Sequence, residues 1–260
     1  MKISLAIITS VLIVSITSCK KDTKTTEPSP TPNAVGSLKI NFENKVDTEP
    51  LEFGKNYINQ KGDSFTVSKF NYYISNIVVT KTDGSTFSEP ESYHLVMHSS
   101  PSTSLITIPN VPVGSYKSIA FTIGVDSARN VSGVQSGDLS PVIASDMFWT
   151  WNTGYIFVKL EGNSPKSGDV TNKSLVYHVG GYGGTYKAQR SVTLYFGATN
   201  AVVNQNASSS IYIWANANKL FGGVNTIDVA TTFFQMSPGK TAKIFADNYA
   251  DMMSFNRIQN

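Results

Sequence analysis

Apolar residues recur at every second position through much of the chain. Leu38, Ile40 and Phe42 alternate with polar neighbours, and Ile119, Phe121 and Ile123 alternate with Ser118, Ala120 and Thr122. Val192, Leu194 and Phe196 alternate with Ser191, Thr193 and Tyr195. A period of two is that of a strand with one buried face. In 155–161 it places Ile156, Val158 and Leu160 inside and Phe157, Lys159 and Glu161 outside. An aspartate at 160 should therefore be costly, and one at 159 tolerated. Further strands are expected at 70–80, 92–98, 104–108, 174–179, 211–215 and 241–245, punctuated by turn signals at Asp83-Gly84, Pro112-Val113-Gly114 and Pro238-Gly239. Ten or so strands without a long amphipathic helix predict an all-β fold. The expected architecture is a single antiparallel β-sandwich, with a barrel as the alternative closure. Long loops join the strands, and one short helix is expected near the C-terminus, at 246–254.

The first residues follow a different pattern. Lys2 precedes an apolar run from Ile3 to Ile16, interrupted by Ser4, Thr9, Ser10 and Ser15. Small residues then lead to Cys19, the single cysteine of the chain. Such a run is short for a membrane span and has the form of a signal peptide, here 1–18. The cysteine resembles that of a bacterial lipobox, whose thiol is acylated. A lone cysteine in an exported chain has no intramolecular disulfide partner, which favours lipidation. Residues 20–33, KKDTKTTEPSPTPN, are charged, hydroxylated and proline-rich, the composition of a flexible tether. Fully extended, they would reach about 45 Å. The expected organisation is thus a signal peptide (1–18), a lipidated cysteine and tether (19–34), and one domain (35–260). The protein is expected on the bacterial cell envelope, on the periplasmic side or at the outer membrane, with the lipid membrane as partner through acylated Cys19.

Composition narrows the chemistry. A formal charge of +3 over 260 residues gives no electrostatic basis for nucleic-acid binding. No nucleophile-elbow motif, phosphate loop or dinucleotide fingerprint is present, and no recognisable carboxylate pair suggests an enzyme. Three histidines remain. His94 and His98 sit four positions apart in SYHLVMH, about 13 Å along a strand and too far apart to share one ion. His178 projects opposite Leu175, Tyr177 and Val179, just before the glycine-rich turn 180–184. Taken alone, each histidine reads first as a hydrogen-bonded surface or half-buried residue and only second as a ligand. The aromatic segment Met147-Phe148-Trp149-Thr150-Trp151 fits a core plug, a sugar platform or a modified cofactor site.

A longer pattern joins these pieces. The run FTIGVDSARNVSGVQSGDLSP and the following DMFWTWNTGYIFVKLEG, within 121–162, resemble the MbnP-like family of exported copper-binding proteins. FNYYISNIVV, SYHLV, LITIPNVPVGSYKSIAFTIGV, YHVGG and DNYADMMSF fit the same family in the same order. The resemblance implies a β-sandwich outside the cytoplasm, a role in copper binding, homeostasis or acquisition, and a copper site built from histidines and an oxidised tryptophan. Its implied partners are a dihaem tryptophan-oxidising protein or a copper transporter. By this resemblance the metal candidates are His178, before the glycine turn, and His94, in the Tyr-His-Leu block. Trp149 and Trp151 are the candidates for oxidation or ligand contact. The chain departs from the family where relatives carry a cysteine in the turn, a second histidine near Asn130-Val131 and a histidine in the tail. The alternative reading is a non-catalytic envelope module that binds glycan or a partner protein through the Trp149/Trp151 loop and the glycine turn.

Overall fold

The computed structural model describes residues 34–260 except 133, 134, 144, 153 and 206. The expected signal peptide, Cys19 and tether lie outside the described residues. In chain order the first strands are β1 (Val35–Val46), β2 (Glu49–Pro50), β3 (Tyr57–Ile58), β4 (Ser64–Lys81), β5 (Thr86–Ser88), β6 (Tyr93–Met97), β7 (Leu105–Pro112) and β8 (Gly114–Ile123). After helix α1 (Ser127–Val131) follow β9 (Phe148–Trp149), β10 (Gly154–Asn163), β11 (Ser174–Gly180), β12 (Arg190–Tyr195), β13 (Ala201–Val203) and β14 (Ser208–Asn216). The chain closes with β15 (Phe234–Gln235), helix α2 (Lys240–Tyr249) and β16 (Met253–Gln259).

Two sheets pack into the expected sandwich. The smaller runs β16-β14-β1-β2, with β7 also on β1; the larger runs β12-β8-β4-β10-β11-β15, with short strands added at its edges. Most pairings are antiparallel, but β1 runs parallel to β14 and β11 parallel to β15. Phe42 of β1 meets Tyr72 of β4 and Phe121 of β8 edge-on, with ring centroids 5.9 and 6.0 Å apart. The Tyr72 side of the large sheet therefore faces the small sheet. Leu38, Ile40, Phe70, Ile74, Ile119 and Leu160 are all buried.

Strand β4 is the axis of the large sheet. Asn71 pairs with both Lys159 and Met97, and Ile74 with both Ile123 and His94. A strand residue has one neighbour on each side, so β10 and β8 lie end to end along one side of β4, with β6 on the other. The positive φ of Asn76 accompanies the register shift between Ser75 and Val78 that separates the two halves.

Three expectations are corrected. Residues 241–245 are helix rather than strand, and the helix expected at 246–254 begins at Lys240 and ends at Tyr249. Ala242, Phe245, Ala246 and Tyr249 are buried at helical spacing, with Tyr177 stacking on Phe245 at 4.6 Å. The tail 253–259 instead pairs with β14 as an outer strand. Strand β10 is also buried on both faces between Gly154 and Leu160. Lys159 is only 3% exposed, which overturns the expectation of an exposed position that tolerates aspartate. The second cover comes from the excursion between β8 and β10, which lies across the outer side of the large sheet.

The close approach of β10 to β4 requires glycine. A Cβ on Gly162 would stand 1.9 Å from the Thr66 carbonyl oxygen, a backbone atom that cannot rotate away. A Cβ on Gly183 would meet nothing within 4 Å. Gly162→Ala is expected to lower stability by about 1–3 kcal/mol and Gly183→Ala to leave it within about 0.5 kcal/mol, as read from urea-unfolding midpoints. Equal midpoints for the two variants would contradict the described β4–β10 packing.

Candidate functional site: a buried histidine beside Trp149

Direct cross-strand partners project to the same side of a sheet. Asn71, Lys159 and His178 therefore form one row across β4, β10 and β11, on the side away from the small sheet. All three are buried, at 4%, 3% and 6% exposure. The Lys159 ammonium donates to the Asp146 carbonyl at 2.7 Å and to its carboxylate at 2.5 Å, and stands 3.6 Å from Glu161. Lys69 reaches the other Asp146 oxygen at 2.8 Å and Glu161 at 3.8 Å. Two lysines and two carboxylates thus neutralise one another, and Asp146 clamps the excursion onto the sheet.

His178 completes this network. Its Nε2 lies 2.7 Å from Glu161 Oε1. An ionised carboxylate only accepts, so Nε2 carries the hydrogen, and in the neutral ring Nδ1 keeps a bare lone pair. That Nδ1 is buried without a hydrogen-bond partner, as is the indole Nε1 of Trp149. The imidazole pKa is lowered, first by burial and then by the Lys159 charge, against the opposing pull of Glu161. Burial alone would raise the Asp146 carboxyl, but the hydrogen bonds from Lys159 and Lys69 outweigh it and hold the group below its ordinary value.

Trp149 reaches the same ground from β9. A Cβ on Gly180, two residues beyond His178, would lie 2.9 Å from the Trp149 ring and 2.5 Å from the Tyr155 carbonyl. The absent side chain at 180 is what lets the indole settle on β11. Trp149 is 3% exposed, whereas Trp151 is 61% exposed with its ring centroid 5.7 Å away. The aromatic segment is therefore both core plug and surface platform, divided between its two tryptophans. Trp149 also lines a pocket of about 230 Å³ with Asn152, Tyr155, Gly181, Tyr182 and Pro238. Ser127 holds the glycine turn there by donating to the Tyr182 carbonyl at 2.6 Å.

The other histidines stand elsewhere. His94 pairs with Ile74 and projects toward the small-sheet side, opposite to His178, with three strand spacings, about 14 Å, between their strands. A shared His94–His178 site is thus not formed. His94 Nε2 binds Glu89 at 2.8 Å, and His98, just past the end of β6, contacts Asn44 at 3.2 Å and the Phe53 ring. Among the described residues no group of three or more His, Cys, Asp or Glu side chains is placed to hold a metal ion. Tested against copper, the donor set fits at one position only. His178 has the bare nitrogen and the carboxylate-fixed tautomer of a ligating imidazole, and no second imidazole joins it. Sequence reading missed Asp146, Lys159 and Glu161 as partners of His178; the available signal was the Lys-x-Glu spacing, which puts both charges on one side of β10.

Two outcomes follow from the buried network. Lys159→Asp removes the central cation and adds a third carboxylate, an expected loss of about 3 kcal/mol; stability equal to wild type would rule out the clamp. Because the folded pKa of His178 is depressed, the unfolded chain takes up that proton first as pH falls below about 6.5. Its contribution is complete above that pH, is lost as pH drops toward the folded pKa, and is flat below it. His98, also lowered first by burial, adds a parallel slope. Urea midpoints should therefore fall from pH 8 to pH 5 less steeply in His178→Gln than in wild type.

No protein of curated function matches the chain. Among solved structures, MbnP from Methylosinus trichosporium is similar at 15% identity, with 74% of this chain and 82% of that one covered and a TM-score of 0.49. A family model described as MbnP matches residues 35–242, from the first residue of β1 into α2. The chain belongs to the MbnP family.

Proposed function

We propose that this chain is an exported, lipid-anchored copper-binding protein in which His178 is the ligand the fold prepares. Members of the MbnP family are non-catalytic binding modules. The observation that carries the copper reading is the buried Nδ1 of His178, bare and unpartnered, with its tautomer fixed by Glu161 and with Trp149 packed two residues further along β11. Copper would supply a Lewis-acidic centre that accepts that lone pair. The chain's own residues orient the imidazole through Glu161, balance the local charge through Lys159 and Asp146, and exclude water with Trp149. In this reading Trp149 is the tryptophan open to oxidation by a dihaem partner, and a copper transporter is the alternative partner. Export and anchoring rest on the pattern of residues 1–19, which ends at Cys19.

A second reading is favoured by one observation, the aromatic pocket between Trp149, Tyr182 and Pro238. Flat rings beside Asn152 and backbone amides suit a sugar ring, whose C–H face packs on aromatics while its hydroxyls hydrogen-bond at the rim. Here the module would bind an envelope glycan and need no metal.

Metal analysis of the mature protein after copper loading and desalting separates the two. The copper reading expects near-stoichiometric retention, its loss in His178→Ala, and its persistence in His94→Ala and His98→Ala. Copper that survives His178→Ala would refute the assignment. A wild type that retains none, together with saccharide-dependent tryptophan fluorescence abolished by Tyr182→Ala, would install the glycan reading. For the anchor, a fatty-acid probe should label wild type and fail to label Cys19→Ser.

A further inference from the structure

The excursion between β8 and β10 has an outer surface that neither reading uses. Val131 is 66% exposed, Val142 87%, Ile143 58% and Trp151 61%. Its inner side is fastened at several points to the same side of the large sheet. Asn130 accepts from the Tyr155 amide at 3.0 Å, and the Leu139 carbonyl accepts from the Tyr155 hydroxyl at 2.5 Å. The Asp138 carboxylate accepts from the Leu95 amide at 2.9 Å, and Asp146 is held by Lys69 and Lys159. With the inner side fixed to one sheet face, these four exposed apolar side chains are left on the solvent side of the excursion.

Among the described residues, charge on that segment is sparse and paired. Between Asn130 and Asn152 the sequence holds two charged residues, Asp138 and Asp146, and both carboxylates are tied to the sheet. A protruding surface of Val, Ile and Trp with hydroxyl neighbours and no free charge matches the interfacial zone of a bilayer, where an indole sits at the headgroup level and aliphatic side chains reach the acyl boundary. Among the described residues no helix is long and apolar enough to cross a membrane, so the contact is one of loops lying on the surface. The chain outside the structure indicates the occupant. On the anchor reading it carries an acylated Cys19 some fourteen residues before the domain, which would hold the domain beside lipid at high effective concentration. Weak apolar contacts suffice for docking under that condition.

We propose that Val131, Val142, Ile143 and Trp151 dock the domain onto the bilayer that holds its own anchor, orienting the Trp149 pocket relative to the membrane. The proposal rests on the anchor reading and is independent of copper. Its test uses the lipidated full-length mature protein in phosphatidylcholine vesicles, with brominated acyl chains as quencher and Trp151→Phe to identify the Trp151 signal. The expected result is strong quenching of Trp151 that persists at high salt, because the docking side chains are apolar, and that falls severalfold in the double variant Val142→Asp, Ile143→Asp. Both substituted side chains are exposed, so circular dichroism should confirm an unchanged fold. Acylated, vesicle-bound protein with unquenched Trp151, or quenching indifferent to the double variant, would overturn the docking alone. Mature protein without acyl mass at Cys19 would overturn the anchor and the docking together.

Discussion

A lysine ammonium in the middle of a sheet has to be neutralised where it stands, because exposing it would require parting the strands and leaving it unpaired would cost several kcal/mol. Lys159 is in this position, at the centre of a strand buried on both faces. The nearest countercharges are Glu161 on its own strand and Asp146 on the excursion that crosses above it. Meeting that need fixes the path of the excursion, and the path delivers the side chains of the site. Three residues after Asp146 comes Trp149, set down on Gly180.

The same electrostatics shape His178. Glu161 is shared between a cation and an imidazole, so the histidine is kept neutral by burial and by Lys159 while its tautomer is fixed by the carboxylate. A neutral ring with a bare, buried nitrogen is the form that binds a soft or borderline metal ion. The site is otherwise spare. His94 is sent to the other side of the sheet by its register against Ile74, and no alternative pairing returns it without moving the whole of β6 by one residue.

The excursion thus has two sides with different duties. Inward, its polar groups are consumed by the sheet; outward, it offers aliphatic and indole surface with little charge. That division also explains the unequal fates of Trp149 and Trp151, two residues apart, one packed on Gly180 and one standing in solvent.

Local alternation determined a good part of this protein. Strands β1, β8 and β12 could be read from period-two alternation and β4, β11 and β14 as further short apolar runs, and the family pattern was legible in the Met147–Tyr155 segment and in the order of its companions. The parity of His178 against Tyr177 and Val179 was also legible, since a strand leaves no choice about which side a residue takes. Three things were decided only by tertiary structure. Residues 241–245 are short and apolar enough to suit a strand yet form a helix, because Phe245 and Tyr249 must both reach the sandwich core. Lys159 has the polarity of an exposed position, but a distant segment covers it and supplies its countercharge. His94 and His178 are both on strands of one sheet, but whether they meet depends on register across β6, β4, β10 and β11, a sum of long-range pairings that no local pattern encodes.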